Sequence, residues 1–120
     1  MRSILVQGEV SPAELDGVLG SVGVQRQAIT TYSLGPTRVA IVLGCKYYFR
    51  SNDYLGVALV AVSDGTAQRI DVSYAGGGAG LLGFQLGAGN DLEAHLTEAL
   101  SDLLRARSLR FGDAPGTAPS

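Results

Sequence analysis

Five residues have types and spacing that could form a small binding site. Lys46, Tyr48 and Arg50 alternate along one extended stretch, so they share one face of a strand. Arg69 and Asp71 alternate with Ser73 on a second stretch, opposite Ile70, Val72 and Tyr74. If both sets fall on one surface of a common sheet, they make a polar patch carrying both signs of charge. Such a patch would suit an anion or another small ligand. It would equally be an ordinary solvated sheet face held by cross-strand pairs.

Other reactive groups stand alone. His95 is the single histidine, and a metal site needs three or four ligands. No second histidine or cysteine accompanies it at ligand spacing, so no metal is expected. Cys45 is the single cysteine and alternates with Val39, Ile41 and Leu43, which reads as a small core residue rather than a nucleophile. No catalytic constellation emerges, and an enzyme using Arg50, Arg69 or Asp71 is the weakest of the functional readings.

The residues Gly78-Ala79-Gly80-Leu81-Leu82-Gly83 spell the dinucleotide-binding fingerprint, after a strand-like run from Ile70 to Tyr74. That fingerprint requires a helix to start within it, with free N–H groups aimed at phosphate. Glycine density there disfavours a helix. Leu82, Phe84 and Leu86 instead alternate with Gly83, Gln85 and Gly87, which predicts a further strand. A phosphate-binding P-loop is excluded because no Gly-Lys-Ser/Thr follows the glycines. The run from Gly76 to Gly89 therefore reads as a tight turn and a closely crossed strand, and no cofactor is expected.

Composition narrows the classes further. The chain has 120 residues, enough for one core, with 9 basic and 11 acidic residues and a net charge of −2. That balance is no footprint for nucleic acid. Hydrophobic residues make up 46% and charged ones 17%, the balance of a folded chain. No run of eighteen apolar residues exists, so no membrane span is expected. Glu9 cuts the first apolar run too short for an export signal. With a single cysteine and no possible intrachain disulfide, the expected setting is cytoplasmic.

The elements that must position these residues follow from periodicity. Residues 2–10 read as a strand. Ser11-Pro12-Ala13-Glu14 opens a helix with a capping box, and Leu15, Val18, Leu19 and Val22 form its apolar stripe. Gly23 ends it. Strands are expected over 24–34, 37–50, 54–63 and 66–75, with Asp64-Gly65 as a tight hairpin turn. Asn90-Asp91-Leu92-Glu93 is expected to cap a long last helix carrying Leu92, Leu96, Leu100 and Leu104. The order expected is β-α-β-β-β-β-β-α. This is an α+β fold of two layers, an antiparallel sheet of about six strands with the long C-terminal helix packed on it. Residues 1–107 form the expected single domain, and 108–120 a flexible tail rich in Gly and Pro.

Certain local patterns resemble a small bacterial family of uncharacterised α+β domains. They are Gly8-Glu9-Val10 before the first helix, Tyr47-Tyr48-Phe49 running into Ser-Asn-Asp, and the strand Val57 to Val62. Asp64-Gly65, Ala75-Gly76-Gly77-Gly78 and the leucine-rich last helix complete them, although the third glycine departs from the family pattern. The resemblance implies an α+β fold, no assigned activity and no functional residue to carry across.

One strand adds a functional hint. Leu55, Val57, Leu59 and Ala61 make one face of 54–63 apolar, while Ala58, Val60 and Val62 make the other so. A strand apolar on both sides is normally covered on both sides, and two helices on one face cannot do that. The leading expectation is a non-enzymatic binding or interaction module that self-associates through its sheet. The alternative is a helix-grip-like carrier of a small apolar ligand, with a cavity between sheet and last helix near Gly83, Gly87 and Ala99.

Overall fold

The computed structural model describes residues 1–48, 53–76 and 82–115; for Tyr48, Asp53, Gly76 and residues 82–90 it describes the main chain. The strands are β1 (Arg2–Gln7), β2 (Gln25–Leu34), β3 (Thr37–Tyr48), β4 (Asp53–Ser63), β5 (Gln68–Gly76) and β6 (Arg110–Asp113), and the helices α1 (Pro12–Ser21) and α2 (Leu82–Ala106). They form one antiparallel sheet in the order β2-β3-β4-β5-β1-β6. Both helices pack on the same side of it, so the fold is the expected two-layer α+β arrangement.

Local chemistry accounts for α1. Ser11 is extended (φ −74°, ψ 157°), its side chain accepts from the Glu14 N–H at 3.2 Å, and the Glu14 carboxylate accepts from the Ser11 N–H at 3.0 Å. The helix closes at Gly23, whose φ is +79°. Gly23 N–H donates to the Gly20 carbonyl at 3.1 Å and Val24 N–H to the Leu19 carbonyl at 3.0 Å, a Schellman closure.

The sixth strand lies after the long helix rather than before it. Residues 82–87, expected as a strand, form the first turns of α2. Glycine penalties of about 1 kcal/mol each are outweighed because extending a helix already nucleated by the leucine-rich segment costs little. The chain then turns back at Ser108, which has φ +58°. Leu109 N–H donates to the Leu104 carbonyl at 2.9 Å, again a Schellman closure, with serine where glycine is usual. This reversal lays β6 beside β1, so residues 110–113, expected in a mobile tail, carry strand pairing instead. Ala114 is buried, and its N–H donates to the Ser3 carbonyl at 3.0 Å.

The connection between β4 and β5 also differs. Strand pairing stops at Ser63–Gln68, leaving four residues in the loop. Positive φ occurs at Gly65 but not at Asp64, so this is not the two-residue turn expected. The Asp64 carboxylate closes the loop by accepting from the Thr66 N–H at 2.9 Å and the Ala67 N–H at 3.0 Å.

The core lies between helices and sheet. Leu15 and Leu19 of α1 and Leu92, Leu96, Leu100 and Leu104 of α2 meet Val42, Leu59, Ile70 and Val72. Each of these ten side chains is essentially inaccessible to water.

Candidate functional site

Alternation assigns every strand residue to one of two faces. The face under the helices carries Ala40, Val42 and Gly44 of β3, Leu55, Val57, Leu59 and Ala61 of β4, and Ile70 and Val72 of β5, all buried. The opposite face carries Val39, Ile41, Leu43, Cys45 and Tyr47 of β3, with Tyr54, Ala58, Val60 and Val62 of β4. On β3 the face turned away from the helices is thus the richer in large apolar side chains. Cys45, expected in the core, lies on this open face, where its sulfur accepts from Gln27 Nε2 at 3.3 Å.

The open face has two halves. Over β2, β3 and β4 its described side chains include no acid or base. Of the large apolar side chains left exposed among the described residues, all but Met1 stand here: Tyr32, Leu34, Leu43, Tyr47, Tyr54 and Val62. Tyr47 and Tyr54 are cross-strand partners with ring centroids 5.0 Å apart. Next to them Leu43, Gly56, Ala58, Ser73 and Ala75 line a depression of about 300 Å³. Small residues on β4 and β5 leave this hollow beside the protruding tyrosines.

Over β5, β1 and β6 the same face is polar. Asp71 Oδ1 accepts from Ser3 Oγ at 2.5 Å and from Arg69 Nε at 3.2 Å. Arg69 Nη2 reaches Ser3 Oγ at 3.2 Å, and its Nη1 donates to the Pro115 carbonyl at 3.4 Å. The Ser3 hydroxyl and the Arg69–Asp71 pair therefore satisfy one another within the chain, and the cluster brings no net charge to the surface.

Of the five residues singled out as a ligand patch, Lys46 stands on the face opposite to Arg69 and Asp71. Arg69 and Asp71 meet on the open face. Lys46 points to the helix side, where Nζ donates to the Val22 carbonyl at 2.9 Å. It thus caps the C-terminal end of α1, a favourable place for a cation. Tyr48 pairs in register with Asp53 at the end of the β3–β4 ladder, and Arg50 lies outside the described residues. The register that decides this, Lys46 beside Leu55 and Arg69 beside Val62, was not fixed by either strand alone.

The glycine fingerprint is bordered as a nucleotide loop would be, with β5 before it and a helix from Leu82; residues 77–81 lie outside the described residues. The helix start corrects the sequence expectation. Yet β5 is antiparallel to both of its neighbours, β4 and β1, whereas the dinucleotide fold presents a parallel sheet at that point. His95 is exposed on α2, in a shallow groove with Ser21, Val22, Glu98 and Asp102.

One group escaped sequence reasoning. Glu93, expected at a helix cap, lies within α2 and is buried, with the Met1 ammonium 3.4 Å from its carboxylate. Its place next to Leu92 and three residues before Leu96 was the available signal.

No protein-family model, curated protein or solved structure matches the chain. The class rests on the fold and its surfaces alone: an α+β domain with one face of its sheet bare of any described element. No described helix is long and apolar enough to cross a membrane.

Proposed function

We propose that the protein is a non-enzymatic interaction module that binds a second copy of itself through the apolar half of the open face. The observation that carries this reading is the placement of Tyr32, Leu34, Leu43, Tyr47, Tyr54 and Val62 on one surface. Scattered apolar residues on a surface need no explanation, but a contiguous patch does. A second copy fits because the described side chains of this half are uncharged, so juxtaposing two of them brings no like charges of theirs together. Two sheets packed face to face stand about 10 Å apart, close enough for the side chains of both inner faces to interdigitate. The tyrosine pair and the neighbouring hollow give each copy a projection and a recess, as a two-fold interface requires. The polar half, with its internally paired Arg69 and Asp71, would form the rim. A reducing, cytoplasmic setting suits the unpaired Cys45 on that face.

The carrier reading receives less support. Among the described residues, Leu92, Leu96, Leu100 and Leu104 of α2 are buried in one core with Ile70 and Val72 of β5, which leaves their part of the space between helix and sheet filled.

Cys45 supplies the test, since it is the sole thiol and stands on the open face. Its labelling rate with a thiol reagent should fall as protein concentration rises, because association covers the face. A rate independent of concentration, together with a monomeric mass, would contradict the proposal.

A further inference from the structure

The two edges of the sheet are built differently. β6 is four residues long and carries Arg110 and Asp113, features that discourage further pairing. β2 at the other edge is ten residues long, and nine of the ten are exposed. Its bulge falls early, between Arg26 and Ala28, and its one charge, Arg26, is engaged with Asp16 of α1 at 3.6 Å. From Ala28 to Leu34 the strand reads Ala-Ile-Thr-Thr-Tyr-Ser-Leu, without charge, proline or glycine. It therefore lacks the devices that normally keep an edge from pairing.

The direction of its free main-chain groups follows from the hairpin. Gly35 and Pro36 make a two-residue turn with φ +59° at Gly35, closed by Leu34–Thr37. The closing pair of such a hairpin exchanges both main-chain hydrogen bonds, and bonding alternates from there. Ile29, Thr31 and Ser33 accordingly turn their N–H and C=O groups outward, away from β3. The regular run 28–34 is centred on Thr31. Antiparallel pairing with a second copy about that residue sets Thr31 against Thr31, Ile29 against Ser33, Thr30 against Tyr32 and Ala28 against Leu34. Each outward N–H then meets an outward carbonyl. Tyr32 and Leu34, which are 52% and 75% exposed, gain cross-strand neighbours on the open face.

We infer that β2 is a second self-association surface, at which two copies join edge to edge into a continuous twelve-stranded sheet. Each chain offers one such edge, so the pairing closes as a dimer. It is a surface separate from the face-to-face contact proposed above and stands without it. With both in use, the assembly is a tetramer with two kinds of two-fold interface.

The test is native mass spectrometry of the full chain and of two variants. Thr31→Pro removes an outward N–H and no bond to β3, so an edge strand tolerates it. Val60→Lys places a charge in the open face and leaves the edge intact. The wild type should be a tetramer, and each variant a dimer. A wild-type assembly unchanged by Thr31→Pro overturns the edge inference. A dimer dissolved by Thr31→Pro but indifferent to Val60→Lys keeps the edge and overturns the face reading; a monomeric wild type overturns both. Should Thr31→Pro fail to fold, Thr31→Lys sets two like charges against each other at the dyad and serves instead. Amide-resolved hydrogen exchange gives an independent reading. The Ile29, Thr31 and Ser33 amides should be protected at high concentration, and exchange at unprotected rates there would also overturn the inference.

Discussion

Val42 and Leu43 are neighbours on β3 with opposite surroundings: Val42 is 0% exposed beneath the helices, and Leu43 is 43% exposed on the open face. Their substitutions should separate folding from association. Val42→Ala should lower unfolding free energy by about 2 kcal/mol, from lost burial and a residual cavity. Leu43→Ser should leave the unfolding free energy of the isolated chain within about 0.5 kcal/mol while weakening assembly. Urea denaturation at low concentration and sedimentation at high concentration read the two effects.

Gly44 is a close approach between β3 and the chain leaving α1. A β-carbon there would stand 2.6 Å from Val24 Cγ1 and 2.9 Å from the Gln25 carbonyl oxygen. The second atom is main chain and cannot swing aside. Gly44→Ala should therefore destabilise the fold by about 1–3 kcal/mol, the cost of overpacking. Thermal unfolding checks it, and an unchanged midpoint would show that β2 moves freely relative to β3.

Ser108 holds the left-handed position that ends α2, a conformation costly to residues with a β-carbon. Ser108→Gly should stabilise the protein by about 0.5–1 kcal/mol, since relief of strain exceeds the added freedom of the unfolded chain. A fall in stability would mean that the serine side chain contributes more than the turn costs.

Asp64 gives a pH dependence of known sign. Hydrogen bonds from the Ala67 and Thr66 main-chain N–H groups, and from the Thr66 hydroxyl, lower its pKa from 3.8 to about 2. A depressed carboxylate contributes stability above its unfolded pKa and loses it as pH falls through the folded one. The loop contribution should be complete above pH 4 and disappear as pH falls towards 2. Asp64→Ala should remove this part of the acid transition; an identical acid profile in the variant would contradict the assignment.

The sequence carried α1 and the first five strands because their signals are local. Ser11 and Glu14 cap a helix through their own side chains, and Gly35-Pro36 and Gly65 mark chain reversals. Three features depended on tertiary context. The glycine-rich start of α2 is helical despite its propensity, as an extension of the leucine-rich segment. β6 follows a Schellman turn closed by Ser108, so the usual glycine signal was missing. Lys46 and Arg69, expected on one surface, fall on opposite faces, a matter of register across three strands. That β4 is apolar on both sides was legible, and it pointed to the face that the helices leave bare.

Sedimentation equilibrium of the wild-type chain, across a hundredfold range of concentration, tests the central claim most directly. Self-association through the sheet predicts a mass that rises with concentration to a whole multiple of the monomer. The monomer mass throughout the range would contradict it.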